Sequence, residues 1–479
     1  MKSKGNAYCR SNGLRPLIAL LIALGAAPAW AADGAAAPVL AAKSTDDDLP
    51  LGKDALFGDD DVLPIDRGAA AKKDKPATLP VKGYLQFELA RTTAEPDHWS
   101  KMRTRADVSS QGALGEDVKW KLGARLDYDA VYGINNFYPF EVRRDQRLGF
   151  MLRENYLDYS AGNWDFRFGR QHAVWGEMVG LLFADVVSAR DMREFVLPEF
   201  DAMRIPQWAA RAEYFKDDFH AEFLWIPVAS YDITGKPGAE FFPNQPQPSG
   251  FAIQYRNEVR PERNWNHGNY GVRLSTLKNG WDVSGFYYSS MDNAPTFYRE
   301  VAIVPTPTVI YEARHDRIDQ VGGTLAKDFG SFVLKGEGVY THGRQVTVLR
   351  FNDADGVVPQ DTLDWALGLD FTLPAETRFN VQFFQRATFG HDPDTIPKKF
   401  ENGYTLYLNS KLTEKLEAQA MWINSLQRND WLFRPRLAWN FERNWRLMFG
   451  ADVFHGPETG LFGRYDGKDR LYGELRYAF

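Results

Sequence analysis

Eight histidines and a long series of regularly spaced charges are the residues of this chain best able to do chemistry. His98, His172, His220, His267, His315, His342, His391 and His455 are scattered, and no two stand four apart as a helix-borne zinc pair requires. All but His220 fall in predicted loops or at outer strand ends, so a cluster on a rim is the arrangement in which they would bind metal or act as a base. No Gly-x-Ser-x-Gly elbow supplies a nucleophile. The single cysteine, Cys9, precedes an apolar leader core, which leaves the rest of the chain without a thiol and excludes disulfides and Cys-ligated metals. These patterns predict no catalytic centre, no cofactor and no metal. What remains is electrostatic: acids and bases set at every second position.

The stretch Asp117 to Tyr132 shows how they are set. Val118, Trp120, Leu122, Ala124, Leu126, Tyr128, Ala130 and Tyr132 share one face, and Lys119, Lys121, Arg125, Asp127 and Asp129 share the other. Strands of soluble sandwiches run to about 5 or 6 residues. A strand that crosses a membrane needs about 9 to 11, with an apolar side for lipid and a polar side for the lumen. The pattern recurs along the chain, at Trp164–Phe168, Phe219–Trp225, Leu363–Phe371, Trp431–Trp439 and Trp445–Phe449 among others. Short turns such as Ala161-Gly162-Asn163, Lys278-Asn279-Gly280 and Glu442-Arg443-Asn444 alternate with long connections near 92–101, 133–147, 174–206, 230–267, 292–317, 343–361, 390–400 and 456–468. Trp164, Trp281 and Trp445 each follow directly on a short turn, where a membrane barrel carries its aromatic girdle. The fold class expected is all-β: one transmembrane antiparallel barrel of about 18 strands, or 16 on the alternative count. Long loops lie outside and both termini lie in the periplasm.

On this reading the pore lining includes Arg105, Asp107, Lys119, Lys121, Arg125, Asp127, Asp129, Arg167, Arg211, Glu213, Arg378, Arg386, Arg434, Arg436, Arg446 and Asp452. Both signs are interspersed. Such charges either pair across neighbouring strands and stiffen the wall, or select what passes.

The ends of the chain fit an exported barrel. Lys2, Lys4, Arg10 and Arg15 precede an apolar run from Leu17 to Ala27 and then Ala29-Trp30-Ala31, a Sec signal peptide over 1–31. Its removal takes the formal charge from −6 to −10, which argues against nucleic acid as a partner. Residues 32–82 are acidic and rich in Ala and Pro, with few large apolar groups to bury. They are expected to be a disordered periplasmic segment, with the barrel filling 83–479. At the other end, "RLYGELRYAF" places Leu471, Leu475, Tyr477 and Phe479 on one face and Arg470, Glu474 and Arg476 on the other. Tyr477 and Phe479 resemble the C-terminal signal by which the barrel-assembly machinery recognises its clients. The remaining surroundings would be outer-membrane lipids and lipopolysaccharide.

The connection 174–206 carries more apolar residues than an exposed loop tolerates. Its middle has helical spacing at Leu182, Val186, Val187, Met192 and Val196, which predicts a loop helix near 181–197. It either folds into the lumen or caps the top as a constriction, through Trp175, Asp185, Asp191, Arg193, Glu194 and Arg204, or it packs on the rim.

The same region carries a resemblance. Gly169-Arg170-Gln171, Trp175-Gly176, Asp185-Val186-Val187, Asp191, Arg193-Glu194-Phe195, Arg204-Ile205-Pro206 and Trp208 are similar to an uncharacterised proteobacterial outer-membrane family known only as a domain of unknown function. More distantly the chain resembles porin-like and alginate-export barrels. Members of that family are often encoded beside RND-type exporters and a lipoprotein-sorting-like periplasmic protein. The resemblance therefore implies traffic of hydrophobic molecules and a periplasmic exporter or lipoprotein as partner. The expected function is an outer-membrane channel or transporter for small or hydrophobic molecules, the alternatives being a structural or adhesive barrel and, further off, an enzyme.

Overall fold

The computed structural model of the protein describes residues 80–479 apart from residues 177, 179, 181 and 182. The expected signal peptide and residues 32–79 of the acidic segment lie outside the described residues.

Alternation of apolar and polar side chains along each segment forces one face out and one face in, and the segments solve this by closing on themselves. Eighteen strands form a single sheet in which each pairs antiparallel with the next. They are Val81–Thr92, Trp99–Leu114, Val118–Asp129, Leu148–Ala161, Trp164–Gln171, Gln207–Lys216, Phe219–Val228, Asn269–Lys278, Trp281–Met291, Arg317–Asp328, Phe332–Thr347, Val357–Leu373, Thr377–Phe389, Phe400–Thr413, Leu416–Ser425, Asp430–Glu442, Trp445–His455 and Arg470–Ala478. The first strand begins at Val81, two residues before the expected start. It pairs with the last in a register running from Tyr84 opposite Ala478 to Thr92 opposite Arg470. Phe479 extends the seam, its N–H donating to the Gly83 carbonyl at 2.9 Å and its carbonyl accepting from the Gly83 N–H at 3.0 Å. Closure removes the unpaired edge that hydrocarbon cannot solvate. The count is 18 rather than the alternative 16.

The faces fall as the pattern demands. Leu122, Leu126 and Tyr128 are exposed on the outside, while Arg125 and Asp129 of the same strand are buried inside. Phe87, Phe150, Leu157, Phe223, Leu274, Val321, Leu367 and Phe449 extend the exposed apolar belt, an area that only lipid would cover at little cost. Trp164 packs on Tyr214, Trp281 on Phe329 and Trp445 on Tyr477, so the aromatic girdle runs along the end that carries the short turns. Among the described residues no helix is long and apolar enough to cross a membrane.

Two connections depart from expectation. Residues 343–361 are largely hairpin, because the strands Phe332–Thr347 and Val357–Leu373 run on beyond the barrel wall. The link between Leu416–Ser425 and Asp430–Glu442, on the long-loop side, has only four residues. The remaining outer loops gather into a cap. Val131, Tyr132, Tyr138, Val142, Ala239, Phe242, Phe297, Val309, Tyr311 and Ala313 form its apolar centre. A small sheet joins it, with Ala252–Tyr255 parallel to Thr308–Arg314 and Thr296–Ala302 antiparallel to the latter.

No helix forms near 181–197 among the described residues, which corrects the expectation from spacing. Val186 and Val187 are β-branched and disfavour a helix. Ala184 and Val187 are instead buried against the inner wall in irregular chain. The loop's helix is the single turn Phe200–Met203, and elsewhere two strands of two residues pair, Ala189 with Ile205 and Arg190 with Arg204.

Candidate functional site: a loop latched across the bore

The loop leaves the wall after Gln171 and returns at Gln207, and these residues face each other in register. Both are buried. Gln171 Nε2 donates to the Ala209 carbonyl at 3.0 Å, and Gln207 Nε2 donates to those of Val187 and Ser230 at 3.2 and 3.1 Å. Gln171 thus ties the two wall strands together at the loop's base, and Gln207 ties the wall to loop backbone. Gly169, just before, has φ +129°, and a Cβ there would lie 2.3 Å from the Asn155 carbonyl oxygen, so only glycine fits. His172, at the exit, is pushed down to about 3 by burial and then by Arg153, and so stays neutral.

The first arm of the loop is apolar. Trp175 has no exposed surface and packs against Phe286 and Tyr288 at 5.1 and 5.7 Å between ring centres. Gly271 makes room for it, since a Cβ there would meet the indole at 2.8 Å. Ala173, Ala184, Val186 and Val187 complete a cluster with Leu224, Ile226 and Val339 of the wall.

The second arm is held mainly by charge, on the opposite side of an 18-strand ring. Glu194 pairs with Arg103 at 2.5 Å, with Lys101, and with Arg470 at 3.5 Å. Burial alone would push its carboxyl up, but Arg103, then Lys101 and Arg470, hold it well below the usual range. Glu88 pairs with the same Lys101 and Arg103, each at 2.7 Å. Asp452 bridges Arg434 and Arg470, at 2.8 Å to each, and Arg434 donates onward to the Leu197 carbonyl at 2.5 Å. Arg436 pairs with Glu199. Arg125 donates to the Ala202 carbonyl at 2.6 Å, while Arg153 donates to those of Arg204 and Asp201 at 2.8 and 2.7 Å, which satisfies carbonyls at the end of the Phe200–Met203 turn. Phe195 and Leu197 pack with Phe241, Ile423, Leu432, Phe454, Phe462 and Tyr465. Phe195 adopts φ 54°, left-handed backbone that costs a bulky side chain about 1–2 kcal/mol and that these contacts must hold in place. Between the arms, Arg204 binds Asp185 at 3.0 Å and Asp201, and Arg193 binds Asp191 at 2.6 Å. All six residues expected of a constriction loop thus anchor or brace it.

Below the loop, toward the short turns and the C-terminus, lies a vestibule of about 1390 Å³, reaching down to Lys82, Asn444 and Phe479. A cavity of about 50 Å³ sits on the loop's other side, bounded by Asp129, Tyr132, Glu240 and Phe241 of the outer loops and wall.

Most expected lining residues face inward but are spent on pairing. Arg105–Asp127 and Arg125–Asp107 are cross-strand pairs at 2.6 and 2.7 Å. Lys121–Glu154, Arg167–Asp158 and Arg386–Asp364 join strands at 2.7, 2.6 and 2.5 Å, and Arg211–Glu213 lie at 3.0 Å. Arg378 and Arg446 line the vestibule. Lys119 is exposed near a short turn, and Asp129 accepts the N–H groups of Met102 and Val131, serving the cap rather than the lumen. Glu88, Lys101, Arg103, Arg153 and Glu199 were missed. The period-2 face that marks Arg105 also marks Lys101 and Arg103, so the signal was there. Among the described residues no three metal-ligating side chains converge.

A closed 18-strand barrel with an apolar belt, an aromatic girdle and a loop drawn into its lumen defines a porin-like outer-membrane protein. Its fold is similar to that of OccAB1 from Acinetobacter baumannii, with TM-score 0.51 and 9% identity over 83% of this chain and 96% of that one. It is also similar to OccK8 (OprE) of Pseudomonas aeruginosa, with TM-score 0.50 and 9% identity over 83% and 97%. The chain belongs to the family described as "Protein of unknown function (DUF1302)", which matches residues 93–445, as the motifs between Arg167 and Tyr214 led one to expect. No curated protein matches the sequence.

Proposed function

We propose that this protein is a gated transport barrel: solute enters the vestibule from the periplasmic side and passes only when the second arm of the 172–206 loop swings off the wall. The observation that carries the reading is the asymmetry of the anchoring. One arm is fixed by a dry apolar cluster around Trp175, whereas the other adds the ion pairs of Glu194 and Glu199 to the packing of Phe195 and Leu197. An apolar anchor makes a hinge, whereas a charged anchor can exchange its partners for water. The vestibule opens at the end where a periplasmic exporter or lipoprotein would dock, and small or hydrophobic cargo delivered there is the transport traffic proposed. Tyr477 and Phe479, at the closing seam, serve as the assembly signal.

Planar-bilayer recording tests the reading. The intact protein should be nearly silent, and deletion of 174–206 should give large, stable currents. Silence after deletion, from protein shown to be a folded barrel by heat-modifiable migration, overturns the transport reading in favour of a structural or adhesive barrel.

A further inference from the structure

The vestibule wall is not neutral. Its lining carries seventeen Lys and Arg against ten Asp and Glu, in a chain whose overall charge is −6. Most of those bases are engaged, as Arg434, Arg470, Lys101 and Arg103 illustrate. Two are not. Arg446 and Arg476 make no ion pair with the described residues, and the Nε of each is buried without a hydrogen-bond partner. They sit directly opposite one another on adjacent strands, both lining the vestibule near its mouth. Cβ atoms so placed are about 4.5–5.5 Å apart, where like charges repel. The Arg476 guanidinium lies 3.6 Å from the centre of the Tyr84 ring, which fixes its plane. Glu474, two residues before Arg476 on the same face, has Glu88 as its register partner and lies in the field of both arginines without forming an ion pair with either.

We infer that Arg446 and Arg476 form a docking site for an oxyanion, a phosphate or carboxylate group, at the periplasmic mouth of the vestibule. Two guanidinium groups carried at one register position offer forked donors to one such group. The anion would relieve the repulsion that this register imposes and supply acceptors for both buried Nε atoms. Phosphate and carboxylate present the same acceptor geometry, and the group is either a free anion or the charged end of a larger solute. The inference rests on the vestibule being the compartment solute enters.

The test uses the purified protein in a non-ionic detergent at pH 7, titrated calorimetrically with inorganic phosphate and, separately, with monododecyl phosphate below its micellar range. The wild type should bind phosphate saturably. Arg446→Gln and Arg476→Gln should each weaken it at least tenfold, and Glu474→Gln should strengthen it. Arg446→Lys, which keeps charge but loses the fork, should fall between. Arg167→Gln, in a paired site elsewhere on the wall, should change nothing. Tighter binding of the dodecyl ester assigns the group to the end of a larger solute, and equal binding assigns it to a free anion. Heat-modifiable migration establishes that each variant is folded. Absence of saturable phosphate binding by the wild type, or equal binding by both Gln variants, overturns the inference. A barrel that conducts after loop deletion but ignores phosphate refutes only this site. One that binds phosphate yet never conducts refutes only the transport reading.

Discussion

Replacing Glu194 by Gln removes one charge from the latch while keeping the side chain's shape. Glu194 is 15% exposed and meets three cations, Arg103, Lys101 and Arg470. Removing one partner from a buried ionic cluster costs about 3–5 kcal/mol. The low end applies, because Glu88 still neutralises Lys101 and Arg103, and Asp452 still neutralises Arg470. Only the latched state loses this energy, since an open loop carries Glu194 into water. A loss of about 3 kcal/mol shifts the closed-to-open ratio by roughly 10². In planar bilayers Glu194→Gln should therefore show frequent openings where the wild type shows rare ones. Glu194→Gln combined with Arg436→Gln, which also frees Glu199, should stay open for longer. Arg167→Gln, whose partner Asp158 lies in the wall, should behave as the wild type. Wild-type silence from the folded double variant would refute the claim that these ion pairs hold the gate.

Further outcomes follow from the same geometry. Trp175→Ala empties a fully buried indole site, costs about 3–5 kcal/mol, and should expose 172–206 to limited proteolysis while the barrel keeps its heat-modifiable migration. Gly169→Ala places a Cβ against the Asn155 carbonyl at positive φ and should lower the midpoint of urea unfolding in lipid more than Gly162→Ala, whose site has open space. In the cap, His98 Nε2 lies 2.9 Å from Glu240, which also accepts from Tyr138 at 2.7 Å. Burial pushes His98 down, but the Glu240 hydrogen bond, the Pro96 carbonyl and the Glu240 charge together outweigh it and leave the imidazole above 6.5. A raised value stabilises the cap fully below 6.5 and loses that contribution as pH climbs through it. Glu240, held down to about 2 by His98 and Lys468 against its own burial, acts above 4.5 and fails only toward pH 2. Hydrogen exchange across 130–147 and 229–268, corrected for intrinsic rate, should quicken between pH 6 and 9, and His98→Asn should abolish the change. Deleting Phe479 removes two seam hydrogen bonds to Gly83 and should cut assembly in cells while refolding in detergent persists.

The barrel was legible because its pattern is local. Every strand announces itself through two-residue alternation, and the turns announce the reversals. Lys121, Arg125 and Asp127 could be placed inward from their own neighbours. The partner of each charge could not, because pairing depends on register between strands, and register is fixed by closure of the whole ring. The loop failed differently. Leu182, Val186 and Val187 carry helical spacing, but that spacing decides nothing when the wall offers Leu224, Ile226 and Tyr288 as a surface for irregular chain. Tertiary burial overrode local periodicity there. The motif positions were nonetheless informative, since Asp185, Asp191, Arg193, Glu194 and Arg204 all hold or brace the latch.

The latch and the oxyanion site are not independent. Burial pushes the Glu199 carboxyl up, and Arg436, then Arg434 and Arg446, pull it below its usual range. Arg446 thus belongs to two fields at once: it helps hold Glu199 on the wall, and it faces Arg476 at the mouth. An anion seated between Arg446 and Arg476 cancels part of the positive potential that Glu199 feels and so weakens the second arm's grip. By linkage, opening must in turn change the affinity for the anion by the same factor. A latch made of apolar contacts would be deaf to an incoming charge. One made of arginines and carboxylates in a positively biased vestibule is not, and this is a physical reason for the second arm to be held by ions when the first is held by Trp175.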